Sequence, residues 1–122
     1  MLHEDLTDRI IGAAIAVHRA IGPGLHEKSY QAALALEFTA LGLAFEQKRV
    51  IPITHRGEIV GHHIPDFIVE NAVVVELKAA AHIEPVFTTQ VLTYLRLTGL
   101  RVGLIVNFNV EALKFGVKRV VK

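Results

Sequence analysis

The sequence contains no cysteine. That absence excludes a disulfide framework, a thiolate zinc site, a cysteine nucleophile and an iron–sulfur cluster. An excess of charge of one sign is missing too: 13 Lys and Arg stand against 12 Asp and Glu, a formal net charge of +1. With no strong basic field, a nucleic-acid partner has to be gripped by a local stripe, a bound cation or a dimer. Long hydrophobic runs are lacking as well. Charges or glycines interrupt each apolar stretch well short of the ~20 residues of a membrane span. Met1-Leu2-His3-Glu4-Asp5 carries neither the basic nor the apolar segment of a secretion signal. A cytoplasmic protein without membrane contact is expected. What the chain does have is 122 residues, 52% of them hydrophobic. That is too apolar for a disordered tail and of a length for one domain over residues 1–122. Such a chain buries roughly 65% of its unfolded surface, and its apolar fraction makes a homodimer a reasonable expectation.

Thr7 or Asp8 would cap a first helix over about 8–21, with Ile10, Ala14, Val17 and Ile21 at helical spacing. Gly22-Pro23-Gly24 ends it, because Pro cannot continue the ladder and Gly tolerates positive φ. A second helix is expected over about 26–41, carrying Tyr30, Ala33, Leu34, Phe38 and Leu41 and stopped by Gly42. The segments 45–54 and 58–69 are strand-like and join around Arg56-Gly57; 72–78 is a third strand centred on Val73-Val74-Val75. Helical spacing returns over 85–97 and Gly99 stops it. A nearly all-apolar strand over 101–107 belongs in the middle of a sheet, and 115–121 makes a last short strand. The order ααβββαβ(β) predicts an α/β fold with a mixed sheet flanked by helices. A parallel crossover follows a three-strand meander.

Three charges interrupt the apolar strands: Asp66, Glu76 and Lys78. Glu76 and Lys78 are two apart and share a face, and burying them without partners is costly. The turn between strands decides whether Asp66 joins them. A two-residue turn at Asn71-Ala72 pairs Asp66 with Leu77. A three-residue turn at Glu70-Asn71-Ala72 pairs it with Glu76, with Cβ atoms about 4.5–5.5 Å apart. Opposed carboxylates repel unless a cation lies between them, and Mg²⁺ suits oxygen ligands that leave room for water and phosphate. The three-residue turn and a divalent metal are therefore expected.

Pro65-Asp66, nine residues, then Glu76-Leu77-Lys78 resembles the PD-(D/E)XK signature of the restriction-endonuclease-like nucleases. Gln90-Val-Leu-Thr-Tyr94 is similar to the QxxxY element of the RecB-like branch. Gly24-Leu-His-Glu27-Lys-Ser-Tyr30 resembles the motif that names the GxxExxY family within that superfamily. The similarity spans about 10–121. It implies a restriction-endonuclease-like fold and metal-dependent hydrolysis of phosphodiester bonds in nucleic acid, DNA ahead of RNA. By that resemblance Asp66 and Glu76, helped by the Leu77 carbonyl, ligate one or two Mg²⁺ or Mn²⁺ ions. Lys78 orients the attacking water and stabilises the phosphorane-like transition state. Glu27 approaches as a further ligand or through a water. Gln90 and Tyr94, one helical turn apart, and Tyr30 contact the lysine or the substrate.

Plainer roles compete with each of these. Asp66, Glu76 and Lys78 can form a salt-bridged cluster at a sheet end. Glu27 can be a first-turn carboxylate favoured by the helix dipole, and Tyr30 a core aromatic with a wet hydroxyl. Among the seven histidines, His62 shares strand parity with Asp66 and offers a zinc site as a lesser alternative, whereas His63 points away. Lys114, Lys118, Arg119, Lys122, Arg96 and Arg101 could supply phosphate contacts or simply solvated faces. Two other functions therefore stand beside the nuclease. One is a non-catalytic nucleic-acid-binding module of the same fold; the other is an assembly or regulatory protein whose carboxylate cluster is structural.

Overall fold

In the computed structural model, which describes residues 1–122, two helices precede the sheet. Helix α1 (Glu4–Ile21) buries Ile10, Ala13, Ala14 and Val17 along one stripe. It begins a turn earlier than expected, after His3 in the left-handed region. Glu4 and Asp5 occupy the first turn, where the helix dipole favours negative charge. Neither Thr7 nor Asp8 is its cap. The Thr7 hydroxyl instead donates to the Glu4 carbonyl at 3.0 Å and accepts from Arg119 at 3.0 Å. Helix α2 (Glu27–Ala40) buries Tyr30, Leu34 and Phe38 at four-residue spacing.

The main sheet has the order β1-β4-β5-β6-β7. Its strands are β1 (Phe45–Gln47), β4 (Phe67–Val69), β5 (Val73–Lys78), β6 (Val102–Asn107) and β7 (Val117–Val121). β5 and β6 are parallel, joined through helix α3 (Pro85–Thr98), and the other pairs are antiparallel. A short 3₁₀ turn, Leu113–Phe115, leads into β7.

The two long strands expected over 45–54 and 58–69 are each cut in two. Their middle parts, β2 (Ile51–His55) and β3 (Glu58–His63), form a separate two-stranded hairpin. The cuts fall where the chain cannot keep a ladder. Lys48 lies at φ 52°, a conformation outside any strand. Pro65 has no N–H to donate and keeps Ile64 extended. The ribbon therefore bends, and Asp66 sits on the bend.

Alternation along β5 and β6 separates two cores. Val73, Val75, Leu77, Leu104 and Val106 pack under α1 and α2. Val74 and Ile105 pack with Val91, Tyr94 and Leu95 of α3. Gly103 lets α3 approach closely, since a Cβ there would lie 2.4 Å from Val91 Cγ1 and 3.4 Å from the Val74 carbonyl. Glu76 and Lys78 follow Val74 in parity and so belong to the α3 face.

Candidate active site

The site starts from the turn between β4 and β5. Glu70 and Asn71 adopt φ of 52° and 50°, and the Ala72 N–H donates to the Val69 carbonyl at 3.0 Å. The register is Val69↔Val73, Ile68↔Val74, Phe67↔Val75, that of a three-residue turn. The next position sets Asp66 opposite Glu76. The ladder stops there and side chains replace it. The Asp66 N–H donates to Glu76 Oε1 at 2.7 Å, and the Leu77 N–H donates to Asp66 Oδ2 at 2.8 Å. Each carboxylate thus accepts from a backbone N–H of the facing strand or its extension.

Glu76 is only 6% exposed. Burial pushes its carboxyl up to about 8, and the negative charges of Asp66 and Glu27 add to the rise, against the pull of the Asp66 N–H and Lys78. Asp66 is raised by burial too. The Leu77 N–H, the lysines 78 and 48 and the Gln31 amide offset part of that. The Tyr94 phenol is driven up to about 12, first by burial and then by the anions of Glu76 and Asp66. Its hydroxyl therefore keeps its proton beside the pair. Lys78 does not close an ion pair with either carboxylate. Its ammonium lies over the Phe87 ring at 4.4 Å.

Other expected residues are placed as follows. Glu27, exposed at the start of α2, reaches Glu76 only through its field. Tyr30 is fully buried, so it has no solvent-facing surface with which to meet a substrate. Its hydroxyl donates to the Gly22 carbonyl at 2.7 Å and accepts from the Leu25 N–H at 3.2 Å, and its ring stacks on Phe108 at 4.3 Å. It ties the Gly22-Pro23-Gly24 loop to the core. Gln90 is half-buried on α3 and its side chain makes no hydrogen bond. The histidine parity is reversed: His62 is exposed, whereas His63 packs edge-on against Tyr94 at 5.0 Å. Alternation counted back from Asp66 fails because the ribbon bends at Pro65. Arg119 is spent on Thr7 and the Leu2 carbonyl, and Arg101 on the Lys122 carbonyl at 3.3 Å.

Two residues went unnoticed in the sequence. Gln31, one turn beyond Glu27, donates from Nε2 to Asp66 Oδ1 at 2.8 Å. Asn107, buried opposite Lys78, accepts from the N–H groups of Ala80 and Asn109 and donates to the Ala80 carbonyl. It ties together the chain ends leaving β5 and β6. Their only sequence signal was position: a helical repeat of Glu27, and a polar residue ending an apolar strand.

The donors at the site are all oxygens, which suits a hard divalent cation. A carboxylate offers about four acceptor positions, and no hydrogen bond is made to Glu76 Oε2. Two carboxylates are a sufficient protein contribution for Mg²⁺, which keeps several waters. No three His, Asp or Glu side chains converge into a ready-made cage, so Glu27 and His62 do not complete one with the pair. Leu77 contributes its N–H to Asp66.

The family model of the PD-(D/E)XK nuclease superfamily matches residues 4–120. The chain belongs to that superfamily, and its α/β architecture with a mixed five-stranded sheet agrees with the fold. Comparison with curated proteins and with solved structures gives no match. No helix is long and apolar enough to cross a membrane.

Proposed function

We propose that this protein is a nuclease that hydrolyses phosphodiester bonds of DNA or RNA with Mg²⁺ or Mn²⁺. The observation that carries the reading is the opposed pair Asp66 and Glu76, Glu76 buried and Asp66 half-buried, with no cationic side chain paired to either. A structural salt-bridge cluster would have closed Lys78 onto them, yet that ammonium lies on Phe87 instead. Gly24, Glu27 and Tyr30 also favour the GxxExxY branch of the superfamily.

Asp66 and Glu76 hold the ion. When bound there, a divalent cation supplies Lewis acidity toward a phosphoryl oxygen and makes water more acidic. Lys78, a point charge on a flexible stem, offsets the negative charge that develops on the phosphoryl oxygens. Tyr94 donates its retained proton toward a substrate oxygen, and Gln90 offers its amide to the backbone of the bound strand. Glu27 orients water at the open side of the pair. Exposed Ile59 and Val60 on the hairpin favour self-association, which sedimentation would test.

Mn²⁺ titration by calorimetry, paired with cleavage assays on DNA and RNA, tests this reading. Binding and metal-dependent cleavage are expected, and both are lost in Glu76→Ala. A chain that binds neither ion nor nucleic acid, and in which Asp66→Ala only lowers the melting temperature, is instead a structural protein. The hydrogen bonds already made by both carboxylates favour that second reading. Retarded DNA mobility without cleavage would point to a binding module.

A further inference from the structure

We infer that Gln31 is the positioning residue for Asp66, fixing its carboxylate so that the oxygens of Asp66 and Glu76 converge on one ion. The inference rests on the metal-dependent reading above and adds a residue that none of the three motifs contains. Asp66 lies one position beyond β4, where the bend at Pro65 ends the ladder. Backbone pairing therefore does not by itself set the direction of its side chain.

Two donors set it. The Leu77 N–H takes Oδ2 at 2.8 Å and Gln31 Nε2 takes Oδ1 at 2.8 Å. The donors come from opposite sides: one from β5, the other from α2, 35 residues away in sequence. The carboxylate is clamped between two elements and cannot rotate without breaking a bond. An ionised carboxylate only accepts, so the amide must present its nitrogen. The arm that carries Gln31 is itself fixed. Tyr30, the preceding residue, is stacked on Phe108 and bonded to the Gly22 carbonyl.

The chemistry of the donor matters. Lysine or arginine at this place would neutralise Asp66 and compete with the cation for it. A primary amide orients the carboxylate and leaves its charge available. Residues that hold metal ligands in place this way typically contribute 10–100-fold in metal affinity or activity.

The test uses the full chain and Mn²⁺ alone, read by calorimetry, with melting temperature measured alongside. Gln31→Met keeps the length and helix preference of the side chain and removes the donor. Mn²⁺ affinity is expected to fall by roughly 10–100-fold while the metal-free melting temperature stays near that of the unaltered chain. Unchanged affinity in Gln31→Met, with binding intact in the unaltered chain, overturns the inference and leaves the nuclease reading standing. Failure of the unaltered chain to bind Mn²⁺ overturns both. If Gln31→Met does not fold, the side-chain amide of Gln31 in the ¹⁵N-labelled unaltered chain serves instead. That signal is expected to shift during Mg²⁺ titration together with the Asp66 backbone amide. A Gln31 signal that stays put while Asp66 moves overturns the inference.

Discussion

The two halves of β5 obey different rules. Val73, Val74 and Val75 are paired on both sides, with β4 and with β6, and all three are buried. Glu76, Leu77 and Lys78 keep their partners on β6 but lose those on β4. In the first half the backbone satisfies itself and the side chains only fill space. In the second, the lost ladder exposes an N–H on each side, and carboxylates accept them. The site is thus built where regular pairing stops. The stable half supplies rigidity, and the open half supplies polar groups that are held but not saturated.

The largest effect that would break this contrast is on activity. Lys78→Met should lower cleavage by ~10²–10³-fold, as loss of a single transition-state charge donor does, while Mn²⁺ binding and the melting temperature persist. Lys78 forms no ion pair whose loss would unfold the chain. A large fall in melting temperature in this variant, with cleavage lost only in proportion, would place the lysine among structural residues.

The opposite result is expected one strand over. Leu104 of β6 is fully buried opposite Val75. Leu104→Ala should cost about 2–5 kcal/mol of stability, measurable by urea unfolding. Mn²⁺ affinity of the folded fraction should be unaltered. If metal binding fell first, the paired half would not be merely a scaffold.

Acidity sharpens the comparison further. The Glu76 carboxyl is pushed up to about 8 from 4.5, so the folded protein binds a proton that the unfolded chain has released. Between these values the stability of the metal-free protein falls as pH rises. Below about 4.5 the contribution is fully present, and above about 8 it is gone. At about 1.4 kcal/mol per unit the whole change is at most roughly 5 kcal/mol. Mg²⁺ should flatten this slope, because it favours the ionised pair. Melting temperatures at pH 5 and pH 8, with and without Mg²⁺, check the sign. A metal-free protein more stable at pH 8 than at pH 5 would contradict a Glu76 carboxyl raised by burial and by Asp66.

What the sequence could reveal follows from the same contrast. Facing of Asp66 and Glu76 was legible because side chains alternate with period two and the turn length fixes register. Elements with regular spacing were legible for a similar reason. The hairpin was not: 45–54 and 58–69 read as continuous strands, and only the bends at Lys48 and Pro65 divide them. That bend also reversed the expected places of His62 and His63. Gln31 and Asn107 were hidden because each touches the site from another element, and spacing along one element does not report such contacts. Tyr30 was expected to contact the lysine or the substrate and is buried instead, since a motif gives residue type and not the direction of a ring.

Tyr30 gives the smallest effect and tests how far the open half depends on α2. Tyr30→Phe keeps the stack on Phe108 and removes the hydroxyl that accepts from Leu25 and donates to Gly22. The hydroxyl is buried with its ring, so the Gly22 carbonyl and Leu25 N–H lose a partner that water does not readily replace. The cost should therefore be about 1–3 kcal/mol, that of leaving a buried donor or acceptor unpaired. Mn²⁺ affinity should fall less than twofold, because Gln31 remains on the same helix and the ring still anchors it. Calorimetry and urea unfolding of the one variant measure both quantities. A tenfold loss of affinity would mean that the Gly22-Pro23-Gly24 loop, and not only the ring packing of α2, sets the position of the carboxylate pair.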